Sequence, residues 1–514
     1  MAQPTLAQLT QDAAASDGPG FPPASPVKFG GVDPLGLRQL NFDLMDEVLP
    51  GLNNVARHIR PFVVIAWAWR RANQLAQAQG FKTISLDLLQ DFVDRIEVIY
   101  VWSQLLKNEN SDLPGRQVLA GLVKAPKWTF GGPNWETRKR TRRYSTALSA
   151  PINYGPGLKM LGWVQRHPHY PDVLIPTDAA VPALDAFEAQ IKKHFDHPAF
   201  SAFGTVTVTR EEALAWAEDW SLVAVSPTEA KAMAQILFGT GAPPRRQRAG
   251  EMILTAVGNV SSTDPDRLRT AMAGPPSNFV PARHLQQTWE DFRRLQVRQL
   301  FRLSLEALFY WTLGKLHDRP KNIDAIVDAF IGELPLRTEK LTAGEWLRGM
   351  FEISIGPAEL IARIQAAMKN PAAKDLAPAV VAGIALCLAE PKDQEKGFER
   401  PDRLPLNRAR DEAALRAGNS VEEFLRHVIE SWILAQHVYW SVGRGLADAR
   451  AQAERTILRL RVILDEGGWK LTPGASPGSP PVPTDDRLYT ALMLAGESQL
   501  LDNALPHAPG SEPA

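Results

Sequence analysis

One cysteine, Cys387, is all that 514 residues provide. No disulfide can close within the chain, and a cysteine-rich zinc site lacks its ligands. Cys387 lies in the apolar run from Val380 to Ala389 and reads as a small buried hydrophobe. An excess of one charge is also missing, since 57 basic and 57 acidic residues give a formal net charge of zero. A uniformly basic coat is thereby excluded, and any contact with a polyanion must be a local patch. Long apolar runs are absent too. The most apolar stretch, Pro61 to Trp69, has nine residues, whereas a membrane span needs roughly 20. Flanked by Arg60, Arg70 and Arg71, it reads as a buried core helix. Residues 1–27 have neither a basic start nor an apolar core, so no secretory signal is expected there. A soluble, cytoplasmic protein without membrane contact is the expectation.

Sequence motifs for catalysis are equally sparse. Gly239-Thr-Gly241 lacks the lysine and the preceding strand of a phosphate-binding loop, and no G-x-S-x-G elbow occurs. Glu229-Ala-Lys231 has the letters of a nuclease E-x-K element but lies in a helical pattern. Asp465 and Glu466 beside Lys470 form an acidic cluster, yet Asp465 to Gly468 is a good hairpin turn sequence. His167 and His169 flank Pro168 and read as surface loop, while His427 and His437 lie ten apart on one helix and are rotated away from each other. Both read as satisfied core histidines. No catalytic residue, metal site or cofactor follows from these patterns, and the reading leans away from an enzyme.

What is present is helical periodicity over most of the length. At 45% apolar and 22% charged the composition is that of a folded protein, too long for one core. The fold class expected is mainly α, a multi-domain helical protein with a winged-helix-like element and short β-hairpins. Residues 1–28 are expected to be a disordered leader, rich in Pro, Gly, Ser and Ala. An N-terminal helical domain follows over 29–240, with helices from Asp33, from about Asn53 to Gln79, and from Ser85 to Leu106. Gly239 to Arg248 reads as a linker. A central helical domain covers 249–390, with its longest helix over Ala282 to His317. Residues 391–418 form a second linker, 419–505 a C-terminal helical domain with a hairpin, and 506–514 a tail. Ser420-Val-Glu-Glu423 has the spacing of a capping box that opens a tryptophan-rich helix. Most of the fourteen tryptophans fall in apolar helical stretches, where core packing explains them.

The most informative stretch runs from Glu136 to Phe195. Arg138, Lys139, Arg140, Arg142 and Arg143 place five cations in six positions. On a helix, Lys139 shares a face with Arg143 and Arg138 with Arg142. Such a face can neutralise several phosphates, and Trp128 and Trp135 just upstream could stack on bases. A short helix ending at Leu161-Gly162 then leads into a Pro/His-rich hairpin and a helix opened by Pro176-Thr177. This order, over 136–195, resembles the second half of bacterial winged-helix domains. The sequence departs from that pattern at Gly155, Pro156 and Gly157, which weaken the helix before the wing. Lys159 and Arg166 are secondary phosphate contacts in this reading.

A second resemblance lies in Asp33-Pro-Leu-Gly36, Leu49-Pro-Gly51, Ile59-Arg-Pro-Phe62 and Trp67. These residues resemble an uncharacterised family of helical bacterial proteins, some of them encoded near anti-phage defence genes. The resemblance implies a subunit of a multi-gene defence system and transfers no catalytic residue. The function expected is a non-enzymatic subunit that binds nucleic acid, DNA first, or serves as an adaptor among other protein subunits. Two alternatives stay open. One is a protein–protein scaffold using the helices around 282–317 and 420–453. The other is a divergent nuclease.

Overall fold

The computed structural model describes residues 33–80, 85–108, 111–113, 119, 123–131, 155–170, 172–275, 279–335, 340–350, 355–370, 374–392, 403–451 and 459–502. It is 61% helical and 6% strand, so the fold is mainly α. The chain forms two compact units, each gathered from separate stretches of sequence. The amino unit takes Met45–Leu268, Pro281–Trp289 and Asp485–Ala514; the carboxy unit takes Met1–Leu44, Arg269–Val280 and Glu290–Thr484. The five-cation cluster at 138–143, the leader and the tail lie outside the described residues.

In the amino unit the apolar run at Pro61 forms a buried helix, as expected. Helix α1, Arg38–Val48, has its residues up to Leu44 in the carboxy unit; in the amino unit α2 spans Ile59–Ala78. The second starts at Ile59 rather than near Asn53. Asn53 Oδ1 accepts the N–H groups of Val55 at 2.9 Å and Ala56 at 2.7 Å, a local turn that competes with the helix. Pro61 then sits in the first turn, where no N–H is needed, and the Glu497 carboxylate accepts the Ile59 N–H at 2.7 Å. Helix α3, Leu86–Lys107, is capped by Ser85 and packs against α2.

Three two-stranded antiparallel sheets complete the described structure. Strand β1 spans Lys127–Phe130. It pairs with β4, Val206–Thr209, with Trp128 opposite Val208. That pairing joins segments far apart in sequence, and no local pattern announces it. Helix α4, Gly155–Leu161, is followed by the hairpin of β2, Val164–Arg166, with β3, Leu174–Pro176, and then by α5, Val181–Ile191. The helix–hairpin–helix order of 155–191 is therefore present. The Gly-Pro-Gly run lies in the first turn of α4 rather than interrupting it, where proline costs least. Strand β3 packs on α2, and Asn73 Nδ2 donates to the Leu174 carbonyl at 2.9 Å.

Helix α6, Arg210–Trp216, opens on the Thr209–Glu212 capping box, and α7, Pro227–Leu237, on Ser226–Glu229. The expected linker at 239–248 is instead the start of α8, Pro244–Val260. Its Pro244 is a helix-opening residue, and Arg246 is fully buried. The guanidinium donates to the carbonyls of Leu237, Ile236, Pro50, Met160 and Leu161, at 2.8 to 3.2 Å. One side chain thus closes the C-terminal ends of α4 and α7, whose last carbonyls have no helical partner. Gly51 makes room for it with a φ of +85°, since a Cβ there would lie 2.8 Å from Arg246 Nη1.

The carboxy unit has its own apolar core. Helix α9, Gln286–Lys315, supplies Leu300, Leu308 and Phe309 to it. Helices α10, Ile323–Ile331, α11, Pro357–Lys369, and α12, Leu376–Ala389, add Phe330, Ile364 and Val380. Helix α13, Leu406–Leu415, lies inside the expected linker at 391–418 and buries Leu406 and Ala409. The capping box at Ser420 opens α14, Val421–His427, which runs without a break into a π-helix, Val428–Ala435, and then α15, Gln436–Ala451. Strands β5, Val462–Asp465, and β6, Gly468–Leu471, form the expected hairpin around Glu466-Gly467.

Candidate functional site

A half-open groove of about 1320 Å³ lies within the carboxy unit. Glu430, Ala435, Val438, Tyr439, Val442 and Gly443 form one wall along the π-helix and α15. Leu460 and the first three residues of β5, with Trp469 of β6, form the other. Asp33, Gln39, Arg403 and Trp440 close one part of it. The helical wall follows from spacing: after the five-residue step of the π-helix, positions 435, 438, 439 and 442 fall on one side. The opposite side of the same helix carries Val428, Trp432 and Ile433 into the core. The helix is therefore apolar on two faces, and one of them meets solvent. Tyr439 is 58% exposed and Leu464 60%.

The segment Asp33-Pro-Leu-Gly36 is held on α15 by three side chains. Trp440 Nε1 donates to the Asp33 carbonyl at 3.0 Å, His437 Nδ1 pairs with the Pro34 carbonyl at 2.8 Å, and Gln436 Nε2 donates to the Leu35 carbonyl at 3.0 Å. Gly36 has a φ of +77° and lies against the Trp440 ring, where a Cβ would come within 2.6 Å of Cδ2. Only glycine fits both constraints. The other ring nitrogen of His437 accepts the Arg461 N–H at 2.9 Å, so the neutral ring with its proton on Nδ1 links the Asp33 segment to the chain entering β5. Burial drives the His437 pKa down to about 4, the nearby Arg461 charge helps, and the Pro34 bond opposes.

Charged groups gather around Asp33, which lines the groove. Arg302 Nη1 pairs with Glu306 Oε2 at 2.7 Å, both nearly fully buried. Burial still holds the Glu306 carboxyl up at about 7, against the pull of Arg302. Asp33 is raised by burial as well, opposed by its bond from the Arg38 N–H and by the charges of Arg302 and Arg403. Arg403 is 7% exposed, and its Nε and Nη1 have no hydrogen-bond partner. Its guanidinium carbon lies 5.5 Å from the Trp440 ring centroid.

Of the sequence-predicted site residues, Arg138, Lys139, Arg140, Arg142 and Arg143 lie outside the described residues. Lys159, near the end of α4, and Arg166, the last residue of β2, are both exposed, and neither has an ion pair among the described residues. Asp465 pairs with Lys470 and accepts the Gly467 N–H at 2.9 Å, which makes it the turn residue the sequence suggests. Glu229 caps α7 and lies 3.1 Å from Arg60 Nη1 in the interior of the amino unit. His427 bonds Glu412 at 2.8 Å. Burial raises that carboxylate, but donors on Trp432, Arg408 and His427 outweigh it and hold it at about 2.

Arg403, Tyr439, Trp440 and Trp469 were not singled out by the sequence as site residues. The signal available was the second apolar stripe at 435, 438, 439 and 442, which a helix serving only one core does not need. Among the described residues no group of three or more His, Cys, Asp or Glu side chains could hold a metal ion, and no helix is long and apolar enough to cross a membrane. Comparison with protein-family models, with curated proteins and with solved structures gives no match to this chain.

Proposed function

We propose that the chain acts by binding, as an adaptor subunit that holds a segment of a partner protein in the groove of the carboxy unit. The observation that carries this reading is the apolar stripe of exposed Ala435, Tyr439 and Val442 around half-buried Val438, facing Leu464 across the groove. Apolar surface collected in one concave place, with polar groups at its edge, is the pattern of a protein contact. Its dimensions favour a peptide segment over a metabolite. Small-molecule pockets enclose roughly 300–1,000 Å³, whereas this groove is larger and open. Its helical wall from Glu430 to Gly443 extends roughly 20 Å at 1.5 Å per residue, the length of about six residues in extended form.

Display selection with a random octapeptide library on the full chain tests the reading. The expected outcome is enrichment of apolar and aromatic sequences, lost when the same selection uses Tyr439→Glu with Leu464→Glu. No enrichment, or enrichment indifferent to those two substitutions, would contradict it.

Nucleic-acid binding is the second reading, favoured by exposed Lys159 and Arg166 downstream of five clustered cations. Alanines at Arg138, Lys139, Arg140, Arg142 and Arg143 should then weaken DNA binding and flatten its dependence on salt. Equal affinity of both proteins across a salt series would remove this reading. A role in a bacterial defence assembly is the setting that the resemblance of residues 33–67 adds to either proposal.

A further inference from the structure

We infer that Arg403 is the residue with which the groove recognises an acidic side chain of the bound segment. The inference rests on the adaptor reading and supplies the chemistry that reading leaves open.

Among the described residues lining the groove Arg403 is the one cation; the other charged ones, Asp33 and Glu430, are acids. Its side chain is more than nine-tenths buried, and two of its three nitrogens have no hydrogen-bond partner. A guanidinium presents five N–H donors in a rigid fork, and burying them unmatched is unfavourable unless a planar acceptor arrives. Asp33 does not take that part. It lies close enough for its charge to be felt, but makes no ion pair with Arg403 and instead accepts the Arg38 N–H at 3.2 Å. Trp440 supports the guanidinium on one side, and Trp440 is itself fixed by its bond to the Asp33 carbonyl. A cation held this way, beside an apolar trough, fits a carboxylate flanked by large apolar residues. Nε and Nη1 are closed to solvent, so the contact is a single charge-assisted hydrogen bond through the remaining nitrogen, shorter and stronger than a neutral one.

The same octapeptide library, selected in parallel on wild type and on Arg403→Gln, tests the inference. Wild type should enrich apolar sequences with Asp or Glu at a fixed offset from an aromatic residue. The variant should keep the apolar preference and lose the acid. The best wild-type peptide, synthesised with acetylated and amidated ends, should lose roughly 10- to 100-fold in affinity when its acid becomes the amide. On Arg403→Gln the same change should cost less than about twofold. Arg403→Lys, which keeps the charge without the fork, should fall between them, and thermal melting checks that each variant remains folded.

Apolar peptides without an acid preference would overturn the role of Arg403 and leave the adaptor reading standing. So would peptides that require a free C-terminus rather than an acidic side chain. Absence of any peptide enriched on wild type would overturn both.

Discussion

Acid should loosen the Asp33 segment from α15 through a single residue, His437. Its folded pKa of about 4 lies below the ordinary value of 6.5 because burial disfavours the charged ring. The sign is fixed by that depression. Above pH 6.5 the ring is neutral in both folded and unfolded chains. As pH falls towards 4 the unfolded chain takes up the proton first, so stability is lost across that window. A difference of 2.5 units at 1.36 kcal/mol each is roughly 3 kcal/mol. Glu306 titrates with the opposite sign. Its carboxyl, held up at about 7 by burial, makes its contribution fully present at low pH and lost as pH rises through 7. The wild-type profile is therefore a sum of opposing slopes, and the difference from His437→Phe is the clean readout. Phenylalanine keeps the ring but leaves the Pro34 carbonyl and the Arg461 N–H without partners, a loss of about 2–6 kcal/mol at neutral pH. That gap should shrink by roughly 3 kcal/mol between pH 7 and pH 4. Native-state hydrogen exchange of residues 459–465, corrected for intrinsic rates, measures it. Parallel pH profiles for the two proteins would refute the reasoning.

Three further outcomes follow from geometry. Gly36→Ala should destabilise the protein by about 2–5 kcal/mol in chemical denaturation, from the left-handed backbone and the overlap with Trp440 together. It should also weaken selected peptides, because Trp440 must move. Arg246→Met should lower the melting temperature by roughly 10 °C, since the carbonyls of Pro50, Met160, Leu161, Ile236 and Leu237 lose their shared donor; an unchanged midpoint would count against that role. Cys387, whose thiol burial pushes up and whose Sγ lies 3.3 Å from the Val297 carbonyl, should resist iodoacetamide in the folded protein and react fully in denaturant.

Much of the helical framework was legible because its signals are local. Ser85 and Ser420 cap the helices they precede, and the Pro61 run is buried as its flanking arginines suggest. The turn at Asp465–Gly468 was legible for the same reason. What depended on distant partners was hidden. Pro243-Pro244-Arg245-Arg246 has the composition of a linker, and only the carbonyls that meet Arg246 reveal a buried helix start. The strand at Lys127 needs Val206 to exist. The site suffered most from this, because the groove joins Asp33, Arg403, Trp440 and Leu464, four residues from four parts of the chain. Trp440 looked like core, as most of the tryptophans are. It differs because Gly36 gives its ring a place beside the Asp33 segment rather than inside the apolar cluster.

In the adaptor reading the groove of the carboxy unit, and not some other exposed apolar spot, holds the partner segment. Photo-crosslinking separates these directly, with benzoylphenylalanine placed at Tyr439 in the groove or at Leu415, which is 82% exposed and does not line it. With the best selected octapeptide as probe, a crosslink is expected from position 439 that excess unlabelled peptide removes, and none from position 415. Equal labelling at both positions, or labelling at 415 alone, would contradict it.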